Sequence, residues 1–145
     1  MYYKIFKTPG AGWIFKAARA IPIAGTREDP LLMEKAFEEV DAALAAGELV
    51  CIFPEGALTR DGEIAPFKSG VERILARRPV PVVPLALKGM WLSMWSKRDS
   101  RMGRLRLPRR LRAHVEVEAG PAIAGHEATA GILEAKVRAM RGEQA

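Results

Sequence analysis

The apolar residues between positions 29 and 47 follow the period of an α-helix. Four of them recur at spacings of three and four and form one stripe: Met33, Phe37, Val40 and Leu44. Asp29 is a favourable N-cap residue, Pro30 suits the first helical position, and Gly47 suits the residue after the last turn. The pattern therefore predicts a helix that begins after Asp29 and ends before Gly47.

Shorter apolar segments predict strands and two further helices. The candidate strands are residues 20–24, 49–53, 80–87 and 114–118. Ser69 and Glu72 have the spacing of a capping box and predict a helix that continues to Arg77. A last helix is indicated by three apolar residues: Leu133, Val137 and Met140. This alternation predicts an α/β fold, a single domain with a largely parallel or mixed sheet flanked by helices.

Length and composition agree with one folded domain. The chain has 145 residues, of which 49% are hydrophobic and 28% charged, and a domain of this size buries roughly 68–70% of its unfolded surface. Charges interrupt every apolar segment before the roughly 18 residues that a membrane-spanning helix needs, and no signal peptide is indicated. The single cysteine, Cys51, cannot form an internal disulfide, which favours a reducing cytosol. Its apolar neighbours predict that Cys51 lies in the core.

The positive charge is concentrated in one segment. The formal net charge is +6, yet residues 97–112 contain eight basic residues and one acid. Such an excess points to an anionic partner, which can be a phospholipid surface, a nucleic acid or a phosphorylated substrate, although a basic segment is more often solvated surface. Trp91 and Trp95 precede it at a spacing of four, which suits core packing and membrane anchoring equally.

A polar loop follows the candidate strand at residues 49–53. It contains three short motifs: Phe53-Pro54-Glu55-Gly56, Thr59-Arg60-Asp61-Gly62 and Phe67-Lys68-Ser69-Gly70. Loops at the carboxyl ends of strands are the usual ligand sites of α/β sheets. Gly56 permits close backbone approach, and the helix that begins after Ser69 has N–H groups suited to an anion. The residues alone therefore predict a polar functional loop.

The same motifs resemble the glycerol-phosphate and acylglycerol-phosphate acyltransferases. The third sequence block of that family combines F-P-E-G-T-R-S with F-K-x-G, and here the arginine is shifted to Arg60. The proline-rich residues 79–89 are similar to the fourth block, and residues 21–23 occupy the second without its arginine. The resemblance extends over about residues 1–120. The Ile-Pro-Ile triplet and the Thr-Arg-Asp-Gly extension are most similar to the branch that includes lysophosphatidylethanolamine acyltransferases and transporter-fused members.

The resemblance implies transfer of a fatty acyl group in phospholipid biosynthesis or remodelling. The donor would be acyl-CoA or acyl-carrier protein, the acceptor a lysophospholipid or acylglycerol phosphate, and no cofactor or metal is implied. The residues expected to bind the acceptor phosphate are Glu55, Gly56, Thr59, Arg60 and Lys68.

The catalytic His-x-x-x-x-Asp motif of the family does not occur in this sequence. Ala119 stands five residues after His114, and Gly131 stands five residues after His126. In the family, this histidine is the general base that deprotonates the acceptor hydroxyl. We therefore expect no catalytic residue in this chain, an inactive and N-terminally truncated acyltransferase domain over residues 1–145, and a Met1 that is internal to a longer protein or a late start.

Peripheral attachment to an anionic membrane surface, at its cytoplasmic face or as part of a larger membrane protein, is also expected. The candidate contact residues are Trp91, Trp95, Arg101, Arg104, Arg109 and Arg110. Two other functions stay open. One is a non-catalytic module that binds phospholipid headgroups. The other is nucleic-acid binding through residues 97–112, but this segment has no aromatic residue to stack on bases and no recognised motif, so no nucleic-acid partner is expected.

Overall fold

The computed structural model describes residue 13 and residues 17–25, 28–56, 63–89 and 114–142. The chain divides into two compact units, Met1–Ile52 and Phe53–Ala145. Thr59, Arg60, both tryptophans at 91 and 95 and the whole basic segment 97–112 lie outside the described residues. The predictions made for those residues therefore stay predictions.

The first unit contains the helix that the apolar period predicts. Helix α1 spans Pro30–Ala45, and the Asp29 carboxylate accepts a hydrogen bond of 2.9 Å from the Leu32 amide. This bond satisfies one of the amide groups that lack a partner in the first turn of a helix. Val40, from the predicted apolar stripe, is buried. The helix ends before Gly47, whose φ is +77°, so both predicted boundaries are confirmed.

Residues 49–53 do not form the buried strand that their composition predicts. They contain no strand residue, Leu49 is fully exposed, and Phe53 is 71% exposed. An apolar segment becomes a strand only where a second backbone supplies hydrogen-bond partners, and no described strand pairs with it. Cys51 is exposed, so its predicted place in the core is also wrong.

The candidate strand at residues 20–24 is reduced to one bridge residue, Ile23. Pro22 lacks the N–H group that a continuous strand ladder requires. The prediction of a strand here is therefore wrong in length, although the segment is not helical.

The second unit contains a two-stranded antiparallel sheet. Strand β1 spans Leu85–Lys88 and strand β2 spans Glu116–Ala119, with Leu85 opposite Ala119. Both strands are shorter than predicted. Pro84, directly before β1, cannot donate to a ladder, and residues 114 and 115 lie before the start of β2. A mixed α/β structure is confirmed. The described strands pair only antiparallel, so parallel pairing stays a prediction.

Helix α2 spans Gly70–Arg77 and helix α3 spans Ala130–Arg141, close to the predicted positions. The predicted capping box is wrong, because Ser69 makes no side-chain capping hydrogen bond. The Glu72 carboxylate instead accepts a hydrogen bond of 2.9 Å from the Ala130 amide. Glu72 thereby connects α2 to the first residue of α3.

The core of the second unit lies between α2, α3 and the segment that precedes α3. Six buried residues form it: Val71, Leu75, Ile123, Ala128, Ala130 and Leu133. Partly buried Phe67 packs against this cluster. Gly125 is required for close approach, because a Cβ built there would lie 2.6 Å from the Val80 carbonyl oxygen. In the described part of the chain, no helix is long and apolar enough to cross a membrane.

Candidate functional site

A tight turn at Phe53–Gly56 opens the polar loop. The Gly56 amide donates a hydrogen bond of 3.1 Å to the Phe53 carbonyl oxygen, and Gly56 has φ +65°. In this left-handed region a side chain costs about 1–2 kcal/mol, which explains the glycine. The turn therefore fixes the direction in which the chain leaves Glu55.

Two hydrogen bonds join this turn to residues 63–68, which we call the return segment. The Glu55 carboxylate accepts from the Ala65 amide at 2.8 Å, and the Lys68 amide donates to the Pro54 carbonyl oxygen at 2.9 Å. The two ends of the loop are thus held together, while its middle, residues 57–62, lies outside the described residues. Glu55 closes the loop, so its carboxylate serves a structural purpose here.

The Lys68 side chain lies directly against Gly56. A Cβ built on Gly56 would be 2.7 Å from Lys68 Nζ and 3.2 Å from Lys68 Cε. Any side chain at position 56 would consequently displace the ammonium group. The loop therefore places a positive charge beside exposed backbone, and Lys68 itself is exposed to solvent.

Helix α2 begins at Gly70, two residues after Lys68. The N-terminal end of a helix carries a partial positive charge and amide groups without intrahelical partners. The Ser69 side chain makes no capping hydrogen bond to these amides. An ammonium group followed by a helix N-terminus can bind an oxyanion such as a phosphate.

The return segment is bound on its other side by three residues of α3, which we call the α3 clamp: Glu134, Arg138 and Arg141. Glu134 Oε2 accepts from the Phe67 amide at 2.9 Å, and Arg138 Nε donates to Glu134 Oε1 at 2.9 Å. Arg138 Nη2 also donates to the Ile64 carbonyl oxygen. The side chain of Arg141, only 11% exposed, pairs with Glu63 at 2.7 Å.

The charge on Glu134 is stabilised by these contacts. The Phe67 amide lowers the pKa of the Glu134 carboxyl below its usual range, and the Arg138 guanidinium lowers it further. Both partners favour the ionised form because they donate hydrogen bonds to it.

Three of the five predicted phosphate-binding residues are thus brought together: Glu55, Gly56 and Lys68. Thr59 and Arg60 lie in the middle of the loop, outside the described residues. The α3 clamp was not predicted from the sequence. Its only trace in the sequence is the spacing of four between Glu134 and Arg138, which indicates a helical ion pair but no contact with a segment some 70 residues earlier.

Comparison with known families identifies the class of protein. A family model described as Acyltransferase matches residues 1–88, a range that includes the turn, the return segment and α2. The chain belongs to this acyltransferase family.

Individual relatives match over stretches of similar length. A chloroplastic 1-acyl-sn-glycerol-3-phosphate acyltransferase of Brassica napus is 35% identical over 85 residues, which cover 59% of this chain and 24% of the relative. A chloroplastic 1-acyl-sn-glycerol-3-phosphate acyltransferase of Arabidopsis thaliana is 33% identical over 59% of this chain and 23% of its own length. That of Limnanthes douglasii is 32% identical over 61% of this chain and 31% of its own length. The matches thus cover about a quarter to a third of these relatives. No solved structure matches the chain.

The lowered pKa of Glu134 predicts how the Phe67 contact responds to acid. The contact is complete above the ordinary glutamate pKa and is lost as the pH falls through the lowered pKa of the folded state. We expect the NMR shift of the Phe67 amide proton to titrate with a midpoint below the ordinary pKa of a glutamate carboxyl. Arg138→Ala should raise the midpoint only in part, because the Phe67 amide is the larger cause. A midpoint at or above the ordinary value would contradict the contact.

Proposed function

We propose that residues 53–70 bind the phosphate of a lysophospholipid or acylglycerol phosphate, the acyl acceptor in phospholipid synthesis or remodelling. The observation that supports this most is the Lys68 ammonium held against Gly56 in a loop that Glu55 closes. Membership of the acyltransferase family supports the reaction class. The relatives named above are 1-acyl-sn-glycerol-3-phosphate acyltransferases, which favours an acceptor that carries a phosphate.

The proposed roles of the loop residues follow from their contacts. Lys68, together with Arg60, supplies positive charge to the phosphate, and the hydroxyl of Thr59 adds a hydrogen bond. Gly56 leaves room for the ammonium. Glu55 would repel a phosphate directly, so its role is to hold the return segment through the Ala65 amide.

In the proposed reaction, the acceptor hydroxyl attacks the thioester carbonyl of acyl-CoA or acyl-carrier protein. The new ester C–O bond forms as the C–S bond breaks, a general base takes the hydroxyl proton, and the thiol leaves protonated. This sequence lacks the His-x-x-x-x-Asp motif, and its two histidines, His114 and His126, are both exposed. We therefore propose that this chain binds acceptor without turnover. The alternative function, a non-catalytic module that binds phospholipid headgroups, would use the same binding residues.

Two sequence features favour a particular type of acceptor. The Ile-Pro-Ile triplet at residues 21–23 and the Thr-Arg-Asp-Gly extension at residues 59–62 favour the branch with lysophosphatidylethanolamine acyltransferases. A phosphodiester headgroup still presents to Lys68 and Arg60 two non-bridging oxygens, which share one negative charge. Both acceptor types therefore fit the charges of the loop.

The binding proposal predicts how charge removal changes affinity. A charge-assisted hydrogen bond contributes about 1.5–3 kcal/mol, so Lys68→Ala and Arg60→Ala should each weaken binding of a short-chain 1-acyl-glycerol 3-phosphate by about ten- to a hundredfold. The matched control is Lys136→Ala, which removes an exposed lysine of α3. Isothermal titration calorimetry measures all three, with the phosphate-free acylglycerol as a second control.

The same samples test turnover. With radiolabelled acyl-CoA or acyl-carrier protein, we expect no acylated product, since loss of a general base removes about 10²–10⁴-fold of the rate. Product formation near the rate of an intact relative would contradict the missing base. Unchanged affinity in both Lys68→Ala and Arg60→Ala would contradict the assignment of the phosphate site.

We also propose that residues 97–112, with Trp91 and Trp95, attach the protein to anionic membranes at their cytoplasmic face, where a lysophospholipid acceptor resides. Each basic residue near an anionic bilayer contributes about 1 kcal/mol. Flotation should show binding to anionic liposomes that salt largely releases, with a salt-resistant remainder from the tryptophans. Equal binding to neutral and anionic vesicles would contradict the electrostatic part. Tight binding to DNA with none to vesicles would favour a nucleic-acid partner.

A further inference from the structure

The α3 clamp lies outside the part of the chain that defines the family. The family model ends at residue 88, whereas Glu134, Arg138 and Arg141 belong to the last described helix. All three nevertheless contact the return segment between Glu63 and Phe67. A helix beyond the matched region therefore reaches the loop that contains the family motifs.

The contacts of the clamp alternate with those that close the loop. Arg138 binds the carbonyl of Ile64 and Glu134 binds the amide of Phe67. Ala65, between these two, donates its amide to Glu55. Lys68 follows Phe67 directly and donates its amide to Pro54. Fixing the backbone at 64 and 67 therefore fixes the direction of the amides that hold Glu55 and Pro54.

The position of the Lys68 ammonium depends on the same backbone. Its Nζ lies against Gly56 in a loop whose return segment is hydrogen-bonded to the turn. If residues 64 and 67 are released, Ala65 and Lys68 lose their fixed geometry, and the charge is no longer held beside Gly56.

The clamp is not what attaches α3 to the unit. Leu133 and Ala130 are buried in the core, and Glu72 caps the first turn of α3. The side chains of Arg138 and Glu134 are 40% and 23% exposed, and partly exposed pairs contribute little to overall stability. Their removal should affect the return segment more than the fold.

We infer that Glu134 and Arg138 are positioning residues of the phosphate-binding loop, acting on Glu55 and Lys68 through the backbone of residues 64–67. The part that concerns ligand affinity rests on the proposed function. The part that concerns loop geometry does not.

Amide hydrogen exchange tests the loop geometry without any ligand. In Glu134→Ala and Arg138→Ala we expect the Ala65 and Lys68 amides to exchange about two- to tenfold faster, the effect of one lost hydrogen bond, while amides of α2 keep their rates. Glu134→Gln keeps an oxygen acceptor for Phe67 and should recover most of the protection. The matched controls are Lys136→Ala on α3 and Glu127→Ala before it. Ala65 and Lys68 rates that stay unchanged, or that rise only in parallel with the α2 amides, would overturn the inference.

Calorimetry with short-chain 1-acyl-glycerol 3-phosphate tests the consequence for binding. At a temperature where urea unfolding shows every variant to be folded, Glu134→Ala and Arg138→Ala should raise the dissociation constant about two- to tenfold, and Glu134→Gln should raise it less. Faster exchange with an unchanged dissociation constant would overturn the positioning of the phosphate site. Failure of the unmodified chain to bind would instead overturn the proposed function, and the exchange experiment would still decide whether the clamp orders the loop.

Discussion

The hydrogen bond from the Phe67 amide to the Glu134 carboxylate joins the loop that contains the family motifs to helix α3. Phe67 also packs against the core, so its backbone is fixed from both sides. The neighbouring amides of Ala65 and Lys68 can then hold Glu55 and Pro54. The position of the one described cation in the loop, that of Lys68, follows from this arrangement.

A phosphate site needs a cation that does not form an ion pair with a carboxylate of the protein. In this loop the nearby Glu55 carboxylate is occupied by a backbone amide, and Glu134 by Phe67 and Arg138. Both acids therefore have donors of their own, and among the described residues no ion pair involves Lys68. An exposed lysine whose neighbouring acids accept hydrogen bonds from other donors favours an anionic ligand.

Local patterns in the sequence predicted the parts of the structure that depend on local physics. Helix α1 was predicted at both ends because Asp29, Pro30 and Gly47 act within one turn of the helix. The grouping of Glu55, Gly56 and Lys68 was expected from the family resemblance. The segment 49–53 was predicted wrongly because strand formation depends on a partner backbone that composition does not specify. The α3 clamp was not predictable for the same reason, since a contact between Ile64 and Arg138 is a property of the packed fold.

The proposed function requires that an acceptor phosphate bind between the turn at Gly56 and the start of α2. The most direct measurement is an amide chemical-shift map of the isotope-labelled chain, titrated with a short-chain 1-acyl-glycerol 3-phosphate and with its phosphate-free counterpart. We expect that only the phosphorylated compound shifts the amides of Gly56, Lys68 and Gly70 and those of the intervening loop, with saturation at one ligand per chain. Shifts confined to other parts of the chain, or equal shifts with the phosphate-free compound, would contradict it.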